Sequence, residues 1–263
     1  MAIKLTIQGL LIYATMALYV AAFAARICRC RKPAMWVYGA GFATALASVV
    51  YRGFDAGHAP LSNLFEVFLF LAMLMFPLSV FCRQVLRIGG EAADMLIGAL
   101  LLFPAGFVFS AEPQRLPPSL QTPIFVPHVA AYVVAYAVMA KAALAAAAQL
   151  IRGSDAGRQG LVPREQAVYR LICLGFPLLT AGLVLGAFWG KLAWGNWWNW
   201  DPKELWSLAS WLVYLGYFHF RYVSQRRRAR TEAAIAVLGF VVIVTTLLWV
   251  NLSKLFAGLH SYA

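Results

Sequence analysis

Trp194-Gly195-Asn196-Trp197-Trp198-Asn199-Trp200-Asp201-Pro202-Lys203-Glu204-Leu205-Trp206 is the stretch from which the rest of the chain is read. Seven of the nine tryptophans (Trp189, Trp194, Trp197, Trp198, Trp200, Trp206 and Trp211) fall within 23 consecutive residues. The segment is too polar and too broken by Gly and Asn to cross a bilayer, yet apolar runs flank it on both sides. Rings at a bilayer edge serve either as anchors in the headgroup belt or as a surface for a large flat ligand. Anchoring needs two or three Trp, so this density points to a ligand surface. Within the same stretch, Asp201-Pro202-Lys203-Glu204 predicts a helix start: Asp as N-cap, Pro at the first helical position, and Glu three on to close a capping box.

Working outward, composition excludes a water-soluble domain: 62% of residues are hydrophobic and 12% charged. Apolar runs at about 7–25, 35–51, 64–81, 93–109, 128–150, 171–190, 203–220 and 233–252 are long enough to cross a hydrocarbon core of about 30 Å. The fold expected is an all-α polytopic membrane protein of about eight transmembrane helices, with residues 1–263 as a single integral-membrane domain. The first run reads as a span, not as a cleavable leader. A net charge of +12 would suggest nucleic acid in a soluble protein. Here the cations concentrate in alternate loops. Fifteen Lys and Arg, among them Arg26, Arg83, Arg170 and Arg221, fall to one side, and six, Arg52 and Lys203 included, fall to the other. The positive-inside rule then puts both termini outside, and the Trp-rich loop outside between helices six and seven.

That topology makes the cysteines readable. Cys28, Cys30, Cys82 and Cys173 all lie in or beside inner loops, where thiols stay reduced, so neither a structural disulfide nor a thiol-redox role is expected. The outer segment 110–127 holds five prolines and reads as an ordered cover; the inner segment 151–170 reads as a solvated connector. Gly182, Gly186 and Gly190 recur at four-residue spacing in the sixth span, the pattern of close helix–helix approach.

The chain has four histidines. His58, His128 and His260 sit on the outer side with the Trp loop, and His219 lies near the inner end of span seven. From Pro202 to His219 is 17 residues, about 26 Å of helix rise, so His219 is an ionisable group within the bilayer's inner edge. Neutral imidazoles facing each other across a gap are what a porphyrin iron takes as axial ligands. Tetrahedral zinc would want a third or fourth His, Cys or carboxylate, and the outer face supplies no Cys; proton relays would want acids at mid-span, where they are nearly absent. Lys141, at mid-span in five, can snorkel inward.

The Trp194–Trp206 stretch resembles the tryptophan-rich WWD signature of haem-handling membrane proteins in cytochrome c maturation, and its Asp-Pro-Lys-Glu ending resembles the CcsA (ResC-type) branch of system II. The Pro60-Leu61-Ser62-Asn63-Leu64-Phe65-Glu66 block and the Gly258-Leu259-His260-Ser261-Tyr262 ending match as well. The resemblance implies haem b as the bound substrate, with Trp194, Trp197, Trp198, Trp200 and Asp201 as its contact segment. By position it implies His128 and His260 as outer iron ligands, with His58 a weaker claimant, and His219 as the membrane ligand on the route of haem transport. It implies a membrane subunit of cytochrome c synthase that presents haem for thioether attachment to Cys-x-x-Cys-His apocytochromes. That subunit would form a haem lyase complex with a CcsB-type partner, served by a thioredoxin-like reductant. Its place would be the bacterial inner membrane facing the periplasm, or a thylakoid membrane facing the lumen. Two alternatives stay open: a CcmC-like subunit that hands haem to a chaperone without catalysis, and a bis-His electron-transfer cytochrome.

Overall fold

The computed structural model describes residues 4–153, 160–225 and 227–252, and among these the regular secondary structure is helical, with no strand. The helices are α1 (Ile7–Ile27), α2 (Arg31–Ala56), α3 (Leu64–Gln84), α4 (Glu91–Phe107), α5 (Phe125–Arg152), α6 (Arg164–Trp194), α7 (Pro202–Val223) and α8 (Ala229–Leu252). A 3-10 turn, Pro118–Leu120, precedes α5, and a π turn, Thr245–Trp249, interrupts α8. Each helix overlaps one expected span, in order. Six of them (α1, α2, α3, α5, α6 and α8) are long and apolar enough to cross a membrane. The other two differ for separate reasons: α4 has only 17 residues, and α7 carries Lys203, Glu204 and Arg221 within its length. The chain is an all-α integral membrane protein.

The helices group into two compact units. One comprises Met1–Val85 with Gly89–Pro118, and therefore α1–α4. Its centre is the ring of Tyr19, which lies against Gly41 of α2 and Gly98 of α4; a Cβ at either position would come within 2.5 or 2.6 Å of the ring. Lipid tails are as apolar as a helix surface, so close approach through small residues is what draws such helices together. The Tyr19 hydroxyl donates to the Ala72 carbonyl at 3.1 Å, and Tyr38 meets the ring edge-on at 4.9 Å.

Where α2 runs into α3 the unit holds a fully buried ion pair. Arg52 Nε donates to Glu66 Oε1 at 2.9 Å, with both side chains inaccessible. Glu66 Oε2 accepts from the backbone N–H and the hydroxyl of Ser62, each at 2.8 Å, while Asn63 caps α3 by accepting from the Glu66 N–H at 3.0 Å. Arg52 Nη1 and Nη2 donate to the carbonyls of Ala111 (2.6 Å) and Glu112 (3.3 Å). The pair thus ties the Pro60–Glu66 block and the proline-rich segment to α2. Arg52, counted among loop cations by the sequence reading, is a helix residue and is buried.

The second unit comprises Leu86–Ile88 with Ser119–Ala263, in which α5 packs on α6 and α8, and α7 on α8. The connector reading fails for its second half, because α6 begins at Arg164. The helix persists through this charged turn because its polar side chains find partners: Arg170 Nη1 donates to the Leu86 carbonyl at 2.7 Å, and Glu165 pairs with Arg221 at 3.3 Å. Arg221, also counted with the loops, is a buried residue of α7. It is paired with Glu165 of α6 and Glu232 of α8, and its guanidinium lies 4.6 Å from the Tyr169 ring. Three helices meet on that one cation.

Candidate functional site

The Trp-rich loop is built by two helix ends. Gly195 closes α6 in the left-handed conformation (φ 83°), with its N–H donating to the Lys191 carbonyl at 3.1 Å. Six residues on, Asp201 starts α7. Its carboxylate accepts from the Lys203 N–H at 3.0 Å, and Glu204 Oε2 reaches back to the N–H groups of Asp201 (3.2 Å) and Asn199 (2.8 Å). The expected capping box is present. Both acids serve the backbone: they fix where α7 begins and so where the preceding tryptophans stand.

Between these caps the rings do not share a plane. Trp198 and Trp200 meet at 85°, and Trp189 and Trp194 at 64° with centroids 4.7 Å apart. Trp197 packs obliquely on Phe188 at 5.7 Å. Trp197 and Trp200 remain exposed (55% and 68%), a large apolar area left open at a helix junction. Trp200 also holds φ at 58°, a conformation costing a non-glycine residue on the order of 1 kcal/mol, and such strain gathers at ligand sites. Two buried donors within the loop, Trp198 Nε1 and Asn199 Nδ2, have no acceptor among the described residues. Trp211, by contrast, is structural: it stacks on Phe176 and donates to Thr180 Oγ1 at 2.9 Å.

The structure brings His128 to this loop. At the start of α5, its ring stacks on Trp189 (centroids 5.7 Å apart, planes 21° apart), and Trp189 in turn contacts Trp194. His128 Nδ1 lies 2.9 Å from the Gly182 carbonyl. A carbonyl can only accept, so Nδ1 carries the proton and the ring's lone pair lies on Nε2, the arrangement typical of an imidazole ligand whose other nitrogen is anchored. Two of the three spaced glycines of α6 do pack closely on α5, Gly182 against Tyr132 and Gly186 against this histidine, whereas Gly190 faces the Asn196 carbonyl and Trp194. Trp189 Nε1 donates to the Ser119 carbonyl at 2.8 Å, holding the segment that leads into α5.

His219 lies elsewhere in the same unit. It is exposed on α7 and is not among the residues that line the cavity of about 370 Å³ near that helix end, Tyr169, Phe218, Arg221, Tyr222 and Gln225. His58 belongs to the first unit, where its ring nitrogens lie 3.0 and 3.1 Å from the carbonyls of Ala59 and Gln114, bridging to the proline-rich segment. His260 lies outside the described residues. Sequence reasoning missed the Arg52–Glu66 and Arg221–Glu232 pairs; the one available signal was that only ten acids occur in the chain, which makes each a candidate for a partner.

Fold and site together define a polytopic helical membrane protein whose polar and aromatic side chains gather at helix ends. Residues 61–257 match the model of the cytochrome c assembly protein family. "Cytochrome c biogenesis protein CcsA" of Synechococcus sp. (strain CC9605) is 34% identical over 253 residues, covering 82% of each chain. Its namesake from Chlamydomonas reinhardtii is 34% identical over 227 residues, covering 81% of this chain and 64% of the relative. A solved structure titled "Cytochrome c Heme Lyase CcmF" shares the fold at a TM-score of 0.69 and 16% identity, over 94% of this chain and 48% of that one. The present chain thus spans less than two thirds of the algal relative and about half of the CcmF chain. It belongs to the cytochrome c assembly protein family as a CcsA-type member.

Proposed function

We propose that this chain holds haem at the outer face of its membrane and presents it, with a CcsB-type partner, for thioether attachment to Cys-x-x-Cys-His apocytochrome c. The observation that carries the reading is the seating of His128: its ring is anchored through Nδ1 on Gly182 and stacked on Trp189 beside the WWD loop. A porphyrin also fits the loop's chemistry, since Trp197 and Trp200 offer apolar faces and the unmatched Trp198 and Asn199 N–H groups suit the carboxylates of its propionates. In the reaction each cysteine thiol adds across a vinyl group, sulfur bonding to one carbon and the proton going to the other, with no net oxidation. The chain's part is to bind, orient and shield the haem. His128 and His260 are assigned as the outer iron ligands, and the WWD loop and both termini to the outer side, as the charge distribution supports. The membrane is a bacterial cytoplasmic membrane, the loop facing the periplasm, or a thylakoid membrane, the loop facing the lumen.

His219 is assigned to an inner uptake site. It lies about 26 Å along α7 from the WWD loop, so a single haem cannot be bound at both places. The test is the visible spectrum of the purified chain and its variants. His128→Gly should lose six-coordinate haem, with added imidazole restoring it; an unchanged spectrum overturns the ligand assignment. His219→Ala, co-expressed with the partner, should leave the outer site unloaded although His128 is intact. Normal loading returns His219 to an ordinary helix-end histidine.

A further inference from the structure

We infer that one face of α6, formed by Gly182, Gly186 and Trp189, is a cradle that sets the position, ring plane and protonated nitrogen of His128. The inference rests on the reading of His128 as an iron ligand. The three residues stand at i, i+4 and i+7, one stripe of a helix, and each acts differently on the same imidazole.

The Gly182 carbonyl takes the Nδ1 proton at 2.9 Å on its second lone pair, since a helix carbonyl uses only one for its own ladder. Gly182 has no side chain where Tyr132 of α5 passes; a Cβ there would meet that ring at 2.9 Å and hold the two helices apart, beyond reach of the bond. Gly186 makes the room: a Cβ would lie 2.6 Å from His128 Cε1 and 3.1 Å from Nδ1. Trp189 supplies the flat wall, and Tyr132 meets the ring edge-on at 5.2 Å. Alanine is the better helix former at both glycine positions, so the glycines run against local propensity. The Tyr132 ring at Gly182 and the imidazole at Gly186, which occupy that space, supply the reason. Gly182, Gly186 and Trp189 are positioning residues; none of them needs to touch the iron.

The test is a two-by-two comparison on the full chain in detergent or nanodiscs, with Gly186→Ala made in the native and in the His128→Gly background. In the haem-free protein Gly186→Ala should lower the thermal midpoint when His128 is present. It should raise the midpoint when His128 is absent, because the collision has gone and only the better helix propensity remains. Should Gly186→Ala fail to fold, recovery of folding in the double variant supports the cradle equally. An equal loss in both backgrounds overturns it. With haem loaded, Gly186→Ala should weaken retention roughly 10- to 100-fold, the usual scale for a group that orients a ligand, and shift the spectrum towards that of His128→Gly. Retention of the full six-coordinate spectrum in Gly186→Ala, where His128→Gly loses it, sinks the positioning role alone. An unchanged spectrum in His128→Gly instead removes the ligand reading, and the sign of the midpoint change still decides whether the cradle exists.

Discussion

Replacing Arg52 by Met removes the cation from a carboxylate that water cannot reach, and the surroundings decide the size of the loss. Ala111 is only partly buried and Glu112 is exposed, so water replaces the guanidinium at those two carbonyls at little cost. Glu66 is fully buried. It keeps its two bonds from Ser62 but loses its counter-charge, and breaking such a pair costs about 3–5 kcal/mol. The two remaining hydrogen bonds place Arg52→Met near the lower end, about 3 kcal/mol, or a fall in midpoint of roughly 6–12 °C for a chain of this size. Glu66→Leu should cost less, since Arg52 keeps Asp55 Oδ2 at 3.7 Å and its two carbonyl acceptors. The double variant Arg52→Met/Glu66→Leu puts apolar groups of like volume in place of both charges. It should be more stable than either single variant, losing only about 1 kcal/mol for the unmatched Ser62 N–H. Thermal unfolding of the three variants in detergent, followed by the monodisperse fraction on size exclusion, measures this directly. A double variant as damaged as the sum of the singles would mean that Arg52 and Glu66 act independently, and the reasoning from desolvation would be wrong.

Two further outcomes concern the WWD loop. Asp201→Asn keeps an N-capping oxygen and should retain both stability and haem, whereas Asp201→Ala should cost about 1 kcal/mol and loosen the loop; loss of haem in Asp201→Asn by absorption spectroscopy would show that the charge itself contacts the ligand. Because Trp200 stands at φ 58°, Trp200→Gly relieves strain that offsets the about 0.5–1 kcal/mol entropic cost of glycine. Its midpoint should therefore lie above that of Trp200→Ala, while haem retention falls in both. The reverse order of midpoints would show that the backbone there is unstrained.

The class of the protein was written in its sequence because the physics involved is local. A run of apolar residues long enough for a bilayer, an Asp-Pro-Lys-Glu helix start and a cluster of tryptophans each declare themselves within about twenty residues, whatever the rest of the chain does. The eight helices of the described residues and the α7 capping box follow from those signals. Only the tertiary structure decided which charges are solvated. Arg52 and Arg221 look like loop cations because hydropathy sees a charge near the end of a span, yet both are buried against carboxylates 14, 56 and 11 residues away. No local pattern encodes such a partner. The same holds for the site. Spacing showed Gly182 and Gly186 as a smooth helix face, but what fills it, the rings of Tyr132 and of His128, the latter 54 residues distant from its Gly182 acceptor, is fixed by how α5 crosses α6. A glycine's missing Cβ records that something passes close by; what passes is a property of the folded chain.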